Sequence, residues 1–382
     1  MSLHFTQTEM AGRLARATEA VNEAGLDALL MFAPESHFWV CGYDTFGFAM
    51  FQCLVLTKDG ELHLLTREPD LRQAQYTSTL PDDHIHIWKD IQGVNPAENL
   101  VRLLAKLGVA DGRLGWETRT AGLTAWNGNL VRAALGEMVE SSDIMPELRR
   151  HKSAAEIDMH RRAASLSDDA LDAALASTRA GAFEGDILAD MQGAIFKGGG
   201  DYAGNEFIIG SGEGGLLCRY YSGRRHLDAN DQLTLEWSGA YARYHAAMMD
   251  TIVVGEPSDS QRRMFDVCNQ ALEACEGAIR AGDPMGNVFN AHARVFDANG
   301  FTGARLNACG YGMGAIYNPI WVDFPMFYEG NPQIMIEGQV FFLHMILMDS
   351  DTGKAMTLGH SVLVTDNGIE RLSRHKPKLL LA

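Results

Sequence analysis

Two residues that can transfer protons stand in otherwise apolar stretches of this sequence. Glu236 lies in the run LTLEW at 233–237, and His344 lies in the run FFLHMIL at 341–347. Apolar surroundings raise the pKa of a carboxyl group, so Glu236 could serve as acid, base or nucleophile near neutral pH. A neutral imidazole beside it would complete a proton-transfer pair. The alternative interpretations are a strand glutamate that faces water and a core histidine bonded to a backbone carbonyl.

Strands and helices that could position these residues are visible in the pattern of apolar residues. Runs at 232–237, 251–254, 339–348 and 355–365 are typical of strands. Ser153 and Glu156 form a capping box that opens a long helix running towards Gly181. We predict an N-terminal α/β domain over residues 1–148, with a hairpin around residues 58–60, and a second domain over residues 149–382.

Composition excludes several classes of protein. The 382 residues carry a net charge of −17, which disfavours nucleic acid and anionic membranes as partners, since both select basic patches. No stretch resembles a signal peptide or a membrane span, so we expect a cytoplasmic protein. The six cysteines show no CxxC pair and no metal-binding spacing. We therefore expect neither a zinc finger nor a thioredoxin-like redox site.

Five short motifs, in order, resemble the pita-bread superfamily that includes methionine aminopeptidase, aminopeptidase P, prolidase and creatinase. They are KSAAEI at 152–157, LEWSG at 235–239, GYGMG at 310–314, IEGQVF at 336–341 and SVLVT at 361–365. The resemblance covers essentially the whole chain. It implies an α+β protein in which an N-terminal creatinase-like domain precedes a C-terminal pita-bread catalytic domain.

The same resemblance allows the metal ligands of the superfamily's peptidases to be located in this sequence. Those peptidases hold two metal ions with two Asp, one His and two Glu. Those five ligand positions fall, in chain order, on Glu236, Ala247, Tyr311, His344 and Gly359. Only Glu236 and His344 could coordinate a metal, and a stable catalytic site usually has three protein ligands. We therefore expect no metal and no other cofactor.

Two metal-free members of the superfamily, creatinase and ectoine hydrolase, offer another comparison. The local sequence resembles that of ectoine hydrolase at three places: Glu236 with Gly239, RYH at 243–245, and Gly310 with Tyr311. It departs from ectoine hydrolase where Arg219, Asp250 and Gly359 replace a His, an Arg and a Glu. A different substrate is the simplest explanation of these departures.

The resemblance also suggests roles for residues near the expected pocket. Tyr311 occupies a catalytic or ligand position in a glycine turn, where its phenol could donate a hydrogen bond or simply pack. Arg219 is the expected clamp for a substrate carboxylate. Asp250 stands where relatives carry Arg and would favour a cationic end of the substrate.

Three further residues complete the predicted substrate site. Tyr244 and His245 could form a hydrogen-bonding wall, although a structural turn explains them as well. Phe46 belongs to the aromatic segment 42–51, which is expected to pack in a core or a dimer interface. In creatinase-like dimers, the corresponding loop caps the pocket of the partner.

Three hypotheses about function follow. The first is a metal-independent hydrolase that cleaves a C–N bond of a small zwitterionic metabolite related to ectoine or creatine, with Glu236, His344 and Tyr311 as catalytic residues. The second is a metal-dependent Xaa-Pro dipeptidase or aminopeptidase with a degenerate site, and the third is a non-catalytic binder of a small solute. We expect a homodimer that binds a small molecule.

Overall fold

The computed structural model describes residues 3–219 and 223–382, and the chain divides into two compact units, Met1–Arg149 and Arg150–Ala382. Both units combine helices with sheet, which confirms the expected α+β class. No helix in the described part of the chain is both long enough and apolar enough to cross a membrane.

The first unit contains a mixed sheet in the strand order β4-β3-β2-β1-β5-β6. Its elements are α1 (Gln7–Glu23), β1 (Ala28–Met31), α2 (Pro34–Cys41), β2 (Cys53–Thr57), β3 (Leu62–Arg67), α3 (Leu71–Thr77), β4 (Ile85–Trp88), α4 (Pro96–Lys106), β5 (Leu114–Trp116), α5 (Ala125–Leu135) and β6 (Val139–Glu140). The antiparallel pair β2–β3 is the hairpin predicted around residues 58–60. Alternate residues of β1 and β2 enter two separate apolar clusters, so the sheet is buried on both faces.

The second unit is built on a larger sheet, with the order β11-β10-β12-β13-β9-β8-β7. Helix α6 (Ile144–Arg150) leads into it. Its elements are α7 (Ala154–Ser177), α8 (Glu184–Lys197), β7 (Ile208–Ser211), β8 (Asp231–Tyr241), β9 (Tyr244–Val254), α9 (Asp259–Ala278), α10 (Gly286–Ala298), β10 (Ala308–Gly312), β11 (Asp323–Tyr328), β12 (Val340–Asp349), β13 (Lys354–Thr365), β14 (Gly368–Arg371) and β15 (Leu380–Leu381).

Helix α7 begins at the predicted capping box, in which the side chains of Ser153 and Glu156 each bond the other residue's backbone N–H. The helix packs against β8 and β9. Gly239 permits this close approach, because a Cβ atom there would lie 2.1 Å from the carbonyl oxygen of Ala163. The Gly239 N–H donates to the hydroxyl of Ser167 at 2.6 Å, so the glycine anchors the helix to the sheet.

The register of the sheet places Glu236 and His344 in one row across the strands. Glu236 pairs with Met249, Met249 with Gly359, and Gly359 with His344. Directly paired residues share a face of a sheet, so the side chains of Glu236 and His344 point to the same side. The neighbouring Trp237 donates its indole N–H to Ser167 of α7. The face that carries Glu236 and His344 is therefore the one turned away from α7.

Candidate active site

The central contact of the candidate site joins Glu236 on β8 to Tyr311 on β10. The Tyr311 hydroxyl donates to Glu236 Oε1 at 3.3 Å. Burial raises the pKa of the Glu236 carboxyl group to about 7, against the opposing effects of the Tyr311 hydrogen bond and the Arg219 charge. A carboxyl group with this pKa is present in both protonation states at neutral pH, as general acid–base catalysis requires.

Trp321 forms a second contact with Tyr311 that the sequence did not suggest. Its indole N–H donates to the Tyr311 oxygen at 2.8 Å, and its backbone N–H donates to the side chain of Asn205 at 3.1 Å. Burial and the charge of Glu236 raise the pKa of the Tyr311 phenol, so this residue stays protonated and can act as a donor. Trp321 belongs to no recognisable motif, and only its place in the fold reveals it.

His344 lies beside Tyr311. The two rings are 5.6 Å apart, and among the described residues nothing hydrogen-bonds to its buried Nδ1 atom. Burial and then the charge of Arg219 lower the pKa of His344 to about 4, so its imidazole is neutral at physiological pH. Tyr311 provides a hydrogen bond to the Glu236 carboxylate, and the expected pairing of Glu236 with His344 stays a prediction.

Arg219 supplies positive charge to the site. Its side chain is exposed. Its positive charge lowers the pKa values of Glu236, Tyr311 and His344. The residues after Arg219, at 220–222, lie outside the described part of the chain. An exposed arginine has the chemistry to bind a carboxylate.

Two known protein families match this chain. The profile of metallopeptidase family M24 matches residues 158–366, which hold most of the site, and the creatinase/prolidase N-terminal domain matches residues 13–151. The chain belongs to metallopeptidase family M24. This assignment confirms the superfamily and the two-domain fold expected from the sequence motifs, and it makes the chain an M24 hydrolase.

The relatives of this M24 chain differ in the activities that their names state. An uncharacterised hydrolase/peptidase of Sinorhizobium fredii is 25% identical, with 99% of each chain covered. The ectoine hydrolase of Halomonas elongata is also 25% identical, with 98% of this chain and 97% of the relative covered. A solved Xaa-Pro dipeptidase of Bacillus anthracis superposes with a TM-score of 0.84 at 19% identity, covering 98% of this chain and 100% of that one, and shows the shared fold.

Metal ions are typical of family M24, but the donor atoms of this chain do not fit a metal pair. Ala247 and Gly359 carry no donor group, and a Cβ atom at Gly359 would lie only 2.3 Å from the carbonyl oxygen of Leu343. No group of three or more His, Cys, Asp or Glu side chains within residues 3–219 and 223–382 is arranged to hold a metal. Glu236 and His344 alone fall short of the three protein ligands usual for a catalytic metal.

Tyr244 lies away from the Glu236 site in the M24 domain. It is buried, and its hydroxyl donates to Glu156 at 2.8 Å, next to the start of α7. The structure thus supports the structural alternative for Tyr244 rather than the substrate-binding wall predicted for it.

His245 has both ring nitrogens engaged with the backbone. Its Nε2 accepts the Gly204 N–H at 2.8 Å, and its Nδ1 lies 2.8 Å from the carbonyl oxygen of Arg243. Burial lowers the pKa of His245 to about 4, so the ring is neutral and holds two loops together. A substrate would have to displace one of these bonds, so the predicted substrate-binding role does not fit this arrangement.

Asp250 faces the opposite side of the sheet from Glu236. It pairs with Leu235 and Leu358, whereas Glu236 and Gly359 pair with the preceding residue, Met249. Side chains alternate along a strand, so Asp250 points to the helix-covered face. Burial raises the pKa of its carboxyl group well above the usual range. The role predicted for Asp250, favouring a cationic end of the substrate, therefore does not fit a substrate bound at Glu236.

Phe46 belongs to the first unit of the M24 chain. Its side chain is 82% exposed. Phe46 remains a predicted substrate or interface contact.

Proposed function

We propose that this protein is a metal-independent hydrolase that cleaves a C–N bond in a small zwitterionic nitrogen compound, an amidine, guanidine or amide of the ectoine or creatine type. The observation that carries the proposal is the Glu236–Tyr311 hydrogen bond, in which a carboxyl group with a pKa of about 7 takes the place of metal chemistry. The similarity to ectoine hydrolase over 98% of the chain supports the class of substrate.

In the proposed reaction, ionised Glu236 accepts a proton from a water molecule as the water oxygen bonds to the carbon of the scissile C–N bond. The resulting tetrahedral adduct breaks its C–N bond as protonated Glu236 returns the proton to the leaving nitrogen. The carboxylate is then restored, so no metal, oxidant or other co-reactant is consumed. General acid–base catalysis of this kind contributes about 10²–10⁴-fold to a rate.

Substrate recognition in this proposal relies on charge. Arg219 is exposed and close enough for its charge to influence Glu236, so it is the group proposed to bind the substrate carboxylate. The cationic amidine or guanidine end would then lie towards Glu236, whose ionised form attracts it. His344, neutral because of its lowered pKa, contributes hydrogen bonding without repelling that cation.

A panel of small amidines, guanidines and cyclic amides, assayed for ammonia, urea or amine release in metal-free buffer, tests the proposal. The expected result is turnover of at least one zwitterionic member, lost in Glu236→Gln. Turnover of Xaa-Pro dipeptides instead, dependent on added Mn²⁺ or Co²⁺, would contradict it.

The dipeptidase hypothesis is the second candidate, because the Xaa-Pro dipeptidase of Bacillus anthracis shares the fold over nearly the whole chain. It requires metal ligands that Ala247 and Gly359 do not supply. A third outcome, tight binding of a panel compound with no turnover in any buffer, would favour a non-catalytic binder. Calorimetry with the same panel distinguishes that outcome from inactivity.

A further inference from the structure

Trp321, Tyr311 and Glu236 form a chain of hydrogen bonds that ends at the proposed catalytic carboxylate. Trp321 is 1% exposed and Tyr311 is 6% exposed, so water does not compete freely for these groups. The two donor–acceptor distances along the chain are 2.8 Å and 3.3 Å. The shorter bond lies farther from the carboxylate.

The chemistry of the indole ring fixes which group donates in each of these two hydrogen bonds. An indole N–H can only donate, and a phenol oxygen both accepts and donates. Because Trp321 already donates to the Tyr311 oxygen, the single hydroxyl hydrogen of Tyr311 is left to point elsewhere, and Glu236 Oε1 is the acceptor within reach. Donation into the phenol oxygen also polarises the O–H bond and strengthens the next bond in the chain.

We propose that Trp321 is a positioning residue that fixes Tyr311 as a hydrogen-bond donor to the Glu236 carboxylate. The proposal rests on the function proposed for Glu236, but it concerns hydrogen-bond direction and can be tested without turnover. The backbone N–H of Trp321 is bonded to the Asn205 side chain and its indole N–H is bonded to Tyr311, so the residue is fixed at both its backbone and its ring. Arg219 and Cys218 also interact electrostatically with Glu236. They remain in every variant compared below.

The first test measures the pKa of Glu236 by NMR in protein labelled with ¹³C at the glutamate side-chain carboxyl, with Glu236→Gln identifying the signal. A donor to the carboxylate stabilises its ionised form, so Tyr311→Phe should raise the pKa by about one unit. Trp321→Phe should raise it by part of that amount. The double variant should match Tyr311→Phe alone, because Trp321 acts only through Tyr311.

Trp237→Phe is the matched control. Trp237 is also fully buried, and its indole donates at 2.9 Å to the backbone of Ser167 on the other side of the sheet. It should lower stability as Trp321→Phe does while leaving the Glu236 pKa unchanged. An unchanged pKa in Trp321→Phe, or additive shifts in the double variant, would overturn the proposal.

A second measurement needs no substitution at Trp321. The chain has six tryptophans, and ¹⁵N labelling resolves their indole signals. One indole N–H signal should follow the titration of Glu236 in the wild type and lose that pH dependence in Glu236→Gln and in Tyr311→Phe. The absence of any such signal would contradict the proposed chain of hydrogen bonds. If the signal is present but the protein turns over no panel compound, the hydrogen-bond proposal holds and the proposed function is rejected.

Discussion

The hydroxyl of Tyr311 lies 3.3 Å from a carboxylate oxygen of Glu236, across 75 residues of sequence. The two residues stand on β10 and β8, strands that are not neighbours in the sheet. The superfamily resemblance implies that these two positions hold metal ligands in its peptidases, whereas here they share a hydrogen bond. The proposed acid–base chemistry depends on this replacement.

Replacing Glu236 by Gln keeps the size of the side chain and its ability to accept a hydrogen bond, but it removes the titratable group. We expect kcat to fall about 10²–10⁴-fold on any panel compound that is turned over. Affinity for that compound, measured by calorimetry, should change little if Arg219 binds its carboxylate. Near-native turnover in this variant would refute the catalytic role of Glu236.

The pH profile should report Glu236 and not His344. The ionised form of Glu236 is the base, and its pKa is about 7, so kcat/KM should fall as the pH drops below 7. The pKa of His344 is about 4, so this residue does not change charge in that range. His344→Asn should therefore lower the rate without moving the midpoint. A displaced midpoint would show that the two groups titrate together.

Purified protein should contain no stoichiometric transition metal. Ala247 and Gly359 lack donor atoms, and the remaining Glu236 and His344 are too few for a stable catalytic site. Elemental analysis should find well under one equivalent of Mn, Fe, Co or Zn, and a chelator should leave activity unchanged. One equivalent of metal, together with inhibition by the chelator, would support the dipeptidase hypothesis instead.

Gly359→Ala should destabilise the protein, because its Cβ atom would lie 2.3 Å from the Leu343 carbonyl oxygen. Overpacking of this kind costs about 1–3 kcal/mol in the free energy of unfolding. Gly193→Ala, in α8, is the control. Apart from its chain neighbours and the backbone of its own helix, no atom of the described residues lies within 4 Å of its added Cβ. It should stabilise the helix by up to about 1 kcal/mol. Urea unfolding of both variants checks the comparison, and equal stabilities would contradict it.

We also propose that the protein is a homodimer in which the segment around Phe46 contributes to the interface. Light scattering at micromolar concentration should report twice the mass of the chain, and Phe46→Ala should weaken the association. Trp126→Ala is the control, since Trp126 is a similarly exposed aromatic residue, 73% exposed, in the same unit. A monomeric wild type, or equal effects of both substitutions, would contradict this interface.

The sequence by itself determined the family, the α+β class and several local elements. The capping box at Ser153 and Glu156 and the β2–β3 hairpin are set by residues within a few positions of one another, and both were predicted. Glu236 and Tyr311 were also recognisable from the sequence, because short motifs surround them. Local signals of this kind survive in sequence since the interactions they encode are short in range.

Only the tertiary structure decided which candidates share a site. Asp250 follows the partner of Glu236 by one residue, and the pairing register turns it to the opposite face of the sheet. No sequence motif predicted the position of Trp321, because its indole contacts Tyr311 only after the chain between them has folded back. Strand register and side-chain direction depend on contacts distant in sequence, and those contacts place Tyr311 against Glu236.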